Sequence, residues 1–197
     1  EPVSVGVQAA NRARLTAGQS VAVLGVGPIG LITYLVARAY GATECYAVDM
    51  QHHRLALASE LGVTGAIDAG EGDVPGEIAE WTRGRGVDVV FDTSGSTAAC
   101  AVAPHLAKRG GVVTIVGWPE QASFAYPMET VIEKELDIRG VNRYCNTYPT
   151  AISLLSSGKL DMRPLISHRF PFSQVVEAFH FAATHRTETV KVMISRQ

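Results

Sequence analysis

Short runs of apolar, largely β-branched residues alternate along the chain with stretches whose apolar positions recur every three or four residues. The runs at 20–25 (SVAVLG), 44–49 (ECYAVD), 65–68 (GAID), 87–92 (VDVVFD), 111–117 (GVVTIVG) and 135–140 (ELDIRG) predict six strands. Between them the spacing predicts helices over 28–40, 52–61, 74–83, 96–108 and 127–133, and Gly41, Gly62 and Gly110 stand where glycines just past a helix end would close three of them. A helical stretch also precedes the first strand, with Pro2 suited to a first helical position. Strands separated by whole helices pair in parallel through right-handed crossovers, so the expected fold class is α/β, a doubly wound parallel six-stranded sheet. Such a sheet takes its ligand at the carboxyl ends of the strands.

After Gly140 the rhythm changes: a helix near 148–157, an extended LISHRF, a helix near 172–183 and a closing strand TVKVMIS do not read as a seventh repeat. The expected division is a dinucleotide-binding domain over 1–145, with an N-terminal linking helix, and a C-terminal appendage over 146–197 that packs toward a domain absent from this chain. A start at Glu1, without an initiator Met or signal sequence, points the same way, to part of a longer polypeptide.

Composition narrows the classes. Of 197 residues, 47% are hydrophobic and 18% charged, the balance of a globular protein. A net charge of −2 argues against a nucleic-acid partner, which would need a concentrated excess of Lys and Arg. The longest apolar run, from Val21, is cut by glycines and Pro28 into strand, turn and helix, so no membrane span is expected. Cys45, Cys100 and Cys145 are odd in number and contain no C-x-x-C, which suits neither a disulfide framework nor a structural zinc site and suggests a reducing, cytoplasmic setting.

The chemistry concentrates at Gly25-Val26-Gly27-Pro28-Ile29-Gly30, a G-x-G-x-x-G directly after a strand and opening a helix. Gly25 makes the tight turn, Gly27 admits a pyrophosphate to the backbone, and Gly30 lets helix and strand close together, while Pro28 loses no helical hydrogen bond. The anion is then held by the free N–H groups and dipole of the helix N-terminus. Asp49 ends the second strand about twenty residues further on, where a carboxylate meets the ribose hydroxyls of a dinucleotide in a Rossmann-type domain. A 2′-phosphate ~4 Å away would be repelled by about 4 kcal/mol at an effective dielectric of ~20, nearly a thousandfold, so NAD is expected over NADP. Arg54 is expected to stack on adenine, with a plain surface charge as the alternative, and His52 and His53 stand close enough to offset part of the repulsion. Cys100 reads as a small core residue, and the spacing of His180 and His185 does not suit one metal.

The EPVSVGV opening, the GVGPIG loop, Asp49 to Arg54, GVNRYCNT at 140–147 and RPLISHRFPFSQVVEAF together resemble the zinc-dependent medium-chain dehydrogenases, nearest their sorbitol and xylitol branch. The resemblance covers essentially the whole chain. It implies a catalytic zinc that polarises a polyol oxygen, hydride transfer from the carbinol carbon to NAD, a ketose product, and dimers or tetramers. Most zinc ligands of that family lie in an N-terminal catalytic domain, so this chain alone is expected to be inactive. Glu1 matches a family glutamate that faces the zinc directly or through water, with helix-dipole capping as the alternative. Arg143 and Tyr144 match residues that meet the polyol hydroxyls, Arg143 also beside the nicotinamide. An ion-paired surface arginine and a packed interface tyrosine are the alternatives. Ser94, Gly95, Val116, Gly117, Val141 and Asn142 match coenzyme contacts, and Asn142 stands where close relatives carry phenylalanine. A non-catalytic NAD-binding module, sensing coenzyme or mediating assembly, is the alternative to an enzyme.

Overall fold

The computed structural model describes residues 1–185 and 187–196, which fall into two compact units, 1–160 and 161–197. In the first, helix α1 (Pro2–Ala13) leads into β1 (Ser20–Leu24), α2 (Pro28–Ala39), β2 (Glu44–Asp49), α3 (His52–Glu60) and β3 (Gly65–Asp68). The second half runs α4 (Val74–Trp81), β4 (Val87–Asp92), α5 (Thr97–Leu106), β5 (Ala107–Ile115), α6 (Met128–Glu133), β6 (Asp137–Gly140) and α7 (Tyr148–Ser156). The six strands form one parallel sheet in the order β3-β2-β1-β4-β5-β6, the doubly wound arrangement expected from the pattern. Its order reverses between β1 and β4, so the carboxyl ends of those two strands open onto the switch point. Both are almost wholly buried, as continuous VAVL and VVFD runs require when helices cover both faces of a sheet.

Two expectations are corrected. Gly110 ends no helix: α5 stops at Leu106 and Gly110 lies inside β5, where the register jumps between Val87↔Ala107 and Val89↔Val112. Pro104 removes a donor from the last turn of α5. The carbonyls left there are taken instead by Lys134, whose Nζ donates to Pro104 O (3.2 Å), His105 O (2.8 Å) and Ala107 O (2.8 Å). Desolvation pushes that amine below the ordinary lysine range. Second, the first unit does not end at 145. α7 packs against α1, and the buried Thr147 hydroxyl donates to Ser4 O at 3.0 Å, which carries the unit on to Leu160. The other end of α1 is clasped to β6, with Arg12 Nε donating to Gly140 O (3.2 Å) and an Arg139 Nη donating to Arg12 O (2.8 Å). Helix α1 is therefore held at one end to the segment that follows the sheet and at the other to the sheet's last strand.

The second unit is a small β-α-β of its own. Strands β7 (Ile166–Pro171) and β8 (Lys191–Ser195) pair in parallel, joined through α8 (Val175–Thr184). Phe181 is its hub, stacked on His185 and tilted against His168 and Phe170. On α8, Ala178 is buried while Val176 and Phe179 are exposed, as is Phe172 ahead of the helix.

Candidate functional site

The glycine loop is built by exclusion of side chains. Gly25 has φ +81°, and a Cβ there would come 2.7 Å from Ser94 Cα; at Gly30 a Cβ would come 1.9 Å from Gly25 O. No side chain fits at Gly30, and α2 starts flush against the strand end with Gly27 as its N-cap and Pro28 in its first turn. Asp49, 9% exposed, braces the loop from β2: Oδ2 accepts Val26 N (2.8 Å) and Oδ1 accepts Gln51 N (2.9 Å). Each oxygen keeps a second lone pair, so the carboxylate can still receive hydroxyls. Arg54 reaches back from α3 with Nη1 3.7 Å from Asp49 Oδ2, its guanidinium beside Gly27 and its Nε buried without a hydrogen-bond partner. His52 turns instead to Asp68, Nδ1 to Oδ2 3.1 Å, and so offsets little of the charge on Asp49. These groups line a cleft of about 660 Å³ that also takes in Pro28, Ile29, Ser94 and Ser96.

A second, more open cleft of about 790 Å³ is walled by Glu1, Val5, Ile29, Val116, Trp118, Val141, Asn142, Arg143 and Tyr144. Ile29 lines both clefts, so they meet across the start of α2. Seven of the residues singled out in the sequence thus share this second wall, brought there by α1 and by the ends of β5 and β6. Glu1 is the N-cap of α1, but its side chain makes no capping hydrogen bond. Gly95 and Gly117 line neither cleft. They back onto each other, a Cβ at Gly117 falling 2.3 Å from Gly95 N, which lets the turns after β4 and β5 pass.

Trp118 of this wall, and Tyr148, which packs on its Tyr144, escaped the sequence reading. Trp118 is 85% exposed directly after Gly117. Tyr148 meets Tyr144 edge to face at 5.1 Å, and the hydrogen bond its hydroxyl donates to Tyr144, then desolvation, push its phenol above the ordinary range. The available signals were an aromatic following a strand-end glycine and a second tyrosine four residues after the first. Cys100 is the core residue expected, burial pushing its thiol up to about 11, where it is no nucleophile.

The donors fit one cofactor and not another. A glycine cradle that a Cβ would fill, together with an orphaned buried Nε on the Arg54 guanidinium beside it, suits a dinucleotide. Zinc needs about four ligands, and among the described residues no three His, Cys, Asp or Glu side chains gather; Glu1 offers a single carboxylate. Nor, among the described residues, is any helix long and apolar enough to cross a membrane.

Known proteins share this arrangement. Sorbitol dehydrogenase of Bacillus subtilis (strain 168) is 38% identical over 194 residues, 98% of this chain and 55% of its own length. An Escherichia coli oxidoreductase/dehydrogenase of unknown specificity superposes with a TM-score of 0.92 at 36% identity, covering 99% of this chain and 56% of that one. A candidate zinc-binding dehydrogenase from Sinorhizobium meliloti 1021, solved with NADP bound, superposes at 0.90 with 30% identity, over 99% of this chain and 58% of its own. The chain thus spans about half the length of the curated relatives it matches. The zinc-binding dehydrogenase family signature matches residues 28–157, from the start of α2 through the Asp49 carboxylate and the second cleft to the end of α7, and the chain belongs to that family.

Proposed function

We propose that the chain binds NAD as the coenzyme-binding part of a zinc-dependent polyol dehydrogenase, which oxidises a sugar alcohol of the sorbitol or xylitol type to a ketose. The observation that carries this reading is the pair of clefts meeting at Ile29, with the Asp49 carboxylate in one and the Arg143 and Tyr144 side chains in the other. In it, Asp49 accepts the adenosine ribose hydroxyls and Arg54 covers the adenine. Gly25, Gly27 and Gly30 carry the pyrophosphate on the N-terminus of α2. The coenzyme then passes Ser94 toward Val116, Val141 and Asn142, with Gly95 and Gly117 shaping the crossing from behind. Bound NAD supplies the hydride acceptor. Arg143 and Tyr144 hold the polyol through a planar set of N–H donors and a phenolic hydroxyl that both donates and accepts. Glu1 would offer one oxygen to the metal, directly or through water, and the other ligands would come from residues outside this chain, on a catalytic domain that would cover Phe172, Val176 and Phe179.

Titration of this chain with the reduced coenzymes tests the first half. NADH is expected to bind at least a hundredfold more tightly than NADPH, the Asp49 charge supplying the difference; equal affinities overturn the NAD reading. Turnover of sorbitol or xylitol with NAD is expected from the complete polypeptide, abolished by a zinc chelator, and negligible from this chain. A complete polypeptide that binds NADH yet oxidises no polyol would favour the non-catalytic module.

The same reading extends to a homodimer or a tetramer built from it. β6 is the four-residue edge of the sheet, with Ile138 and the neighbouring Ile132 and Met128 exposed, a surface suited to strand pairing across a two-fold axis. Light scattering of the complete protein at micromolar concentration is expected to give at least twice the monomer mass; a monomer overturns the extension.

A further inference from the structure

Asp92, at the carboxyl end of β4, takes no part in the chemistry above, yet it is 1% exposed. Burial pushes its carboxyl above the usual range, opposed by hydrogen bonds from Ser94. Its Oδ1 accepts both Ser94 N (3.0 Å) and Ser94 Oγ (2.7 Å). Ser94 Oγ in turn accepts Ser96 N (3.0 Å), and Ser96 caps the N-terminus of α5 through Ala99 N. On the other side the main-chain carbonyl of Asp92 accepts Val116 N (2.8 Å) and Gly117 N (2.9 Å). The Cys100 thiol also turns toward the carboxylate. One buried residue therefore ties together the turn after β4, the turn after β5 and the start of α5.

That first turn, residues 93–96, lies along the first cleft, and the turn after β5 lies along the second. Ser94 and Ser96 line the first, and Val116 and Trp118 line the second. Thr93 Oγ1 donates to Gly25 O on the phosphate-loop side, while Gly95 O accepts Glu120 N (3.0 Å) on the other. A ligand running from one cleft past Ile29 into the other would have both turns alongside it. Side-chain hydrogen bonds to an ionised acceptor are roughly twice as strong as neutral ones, so a carboxylate at 92 stiffens the crossing more than an amide would. Stability alone does not explain it. Burial raises this carboxyl, and a carboxyl raised in the folded state gives stability that is present below its unfolded pKa and lost as pH rises through the folded one.

We infer that Asp92 is a positioning residue for the nicotinamide half of the dinucleotide, fixing the Ser94 turn and the Val116–Gly117 turn over which that half must lie, without itself touching the coenzyme. The inference rests on the dinucleotide reading of the two clefts.

The test compares NADH with ADP, which carries the adenosine and pyrophosphate but no nicotinamide, in this chain and in Asp92→Ala, Asp92→Asn and Ser94→Ala. Asp92→Ala is expected to weaken NADH about tenfold while leaving ADP within about twofold, an effect of the size a lost charge-assisted hydrogen bond produces. Asp92→Asn should recover part of the NADH affinity and melt no lower than the parent at neutral pH. Ser94→Ala should weaken NADH in the same direction, and the Asp92→Ala/Ser94→Ala double variant should lose less than the sum of the two, since both remove the bond from Ser94 Oγ to the carboxylate. Parallel losses of ADP and NADH, unchanged NADH affinity, or additive losses in the double variant overturn the assignment. Failure of the unsubstituted chain to bind either ligand overturns the dinucleotide reading instead.

Discussion

Gly30→Ala is expected to destabilise the chain by about 3 kcal/mol and to abolish measurable NADH binding, the upper range for overpacking a closed site. The added Cβ would fall 1.9 Å from Gly25 O and 2.7 Å from Thr93 Oγ1, and the first of these is main chain that cannot rotate away. Relief requires α2 to lift from β1, which dismantles the N-terminus that carries the pyrophosphate. Gly27→Ala separates the two effects. Its Cβ would meet only the Arg54 guanidinium, at 3.6 Å from Nη1, an ordinary contact with a flexible side chain. That variant should melt within about 1 kcal/mol of the parent, yet bind NADH weakly, because the added methyl occupies the approach of the phosphates. Urea unfolding and NADH fluorescence titration measure both quantities. A Gly30→Ala protein with parental stability and affinity would mean that the glycine loop does not hold the ligand this closely.

Asp49→Ala is expected to weaken NADH about a hundredfold and to shift the preference toward NADPH by a further, larger factor. Two losses combine: the ribose hydroxyls lose an ionised acceptor, and Val26 N and Gln51 N lose their partners at 2.8 and 2.9 Å, loosening the turn. The change in preference has a different origin. Removing the carboxylate removes about 4 kcal/mol of repulsion toward a 2′-phosphate at an effective dielectric of ~20, and leaves Arg54, now 3.7 Å from Asp49, as a cation without its neighbour. Paired titrations of the variant with NADH and NADPH check the prediction. An unchanged NADH-to-NADPH ratio would show that Asp49 braces the loop without reading the ribose.

The parts of the site that could be read from the chain are those in which one short segment carries its own reason. Gly25 to Gly30 needs no distant partner to be recognised, because a tight turn, a bare backbone and a helix start are consecutive. Asp49 follows from where the second strand ends. Trp118 and Tyr148 carried only weak local signals; Trp118 enters the wall from the end of β5, and Tyr148, at the start of α7, packs against Tyr144. Gly110 misled for the complementary reason. A glycine after a helical pattern closes a helix in most contexts, but Pro104 and the distant Lys134 ended this one earlier and left Gly110 to a strand irregularity.

Periodicity and local stereochemistry along the chain determined the kinds of elements, their order, the parallel sheet and the phosphate loop, since these depend on residues within a turn or two of each other. Only the tertiary structure decided which strand ends share a cleft, that Gly95 and Gly117 back onto each other and line neither cleft, that the first unit continues through α7, and that Asp92 joins three segments. Those outcomes are set by hydrogen bonds and close contacts between segments far apart in sequence, such as Ser4 with Thr147 and Asp92 with Val116 and Gly117. No periodicity records them, because the partners acquire their geometry only once the sheet has formed.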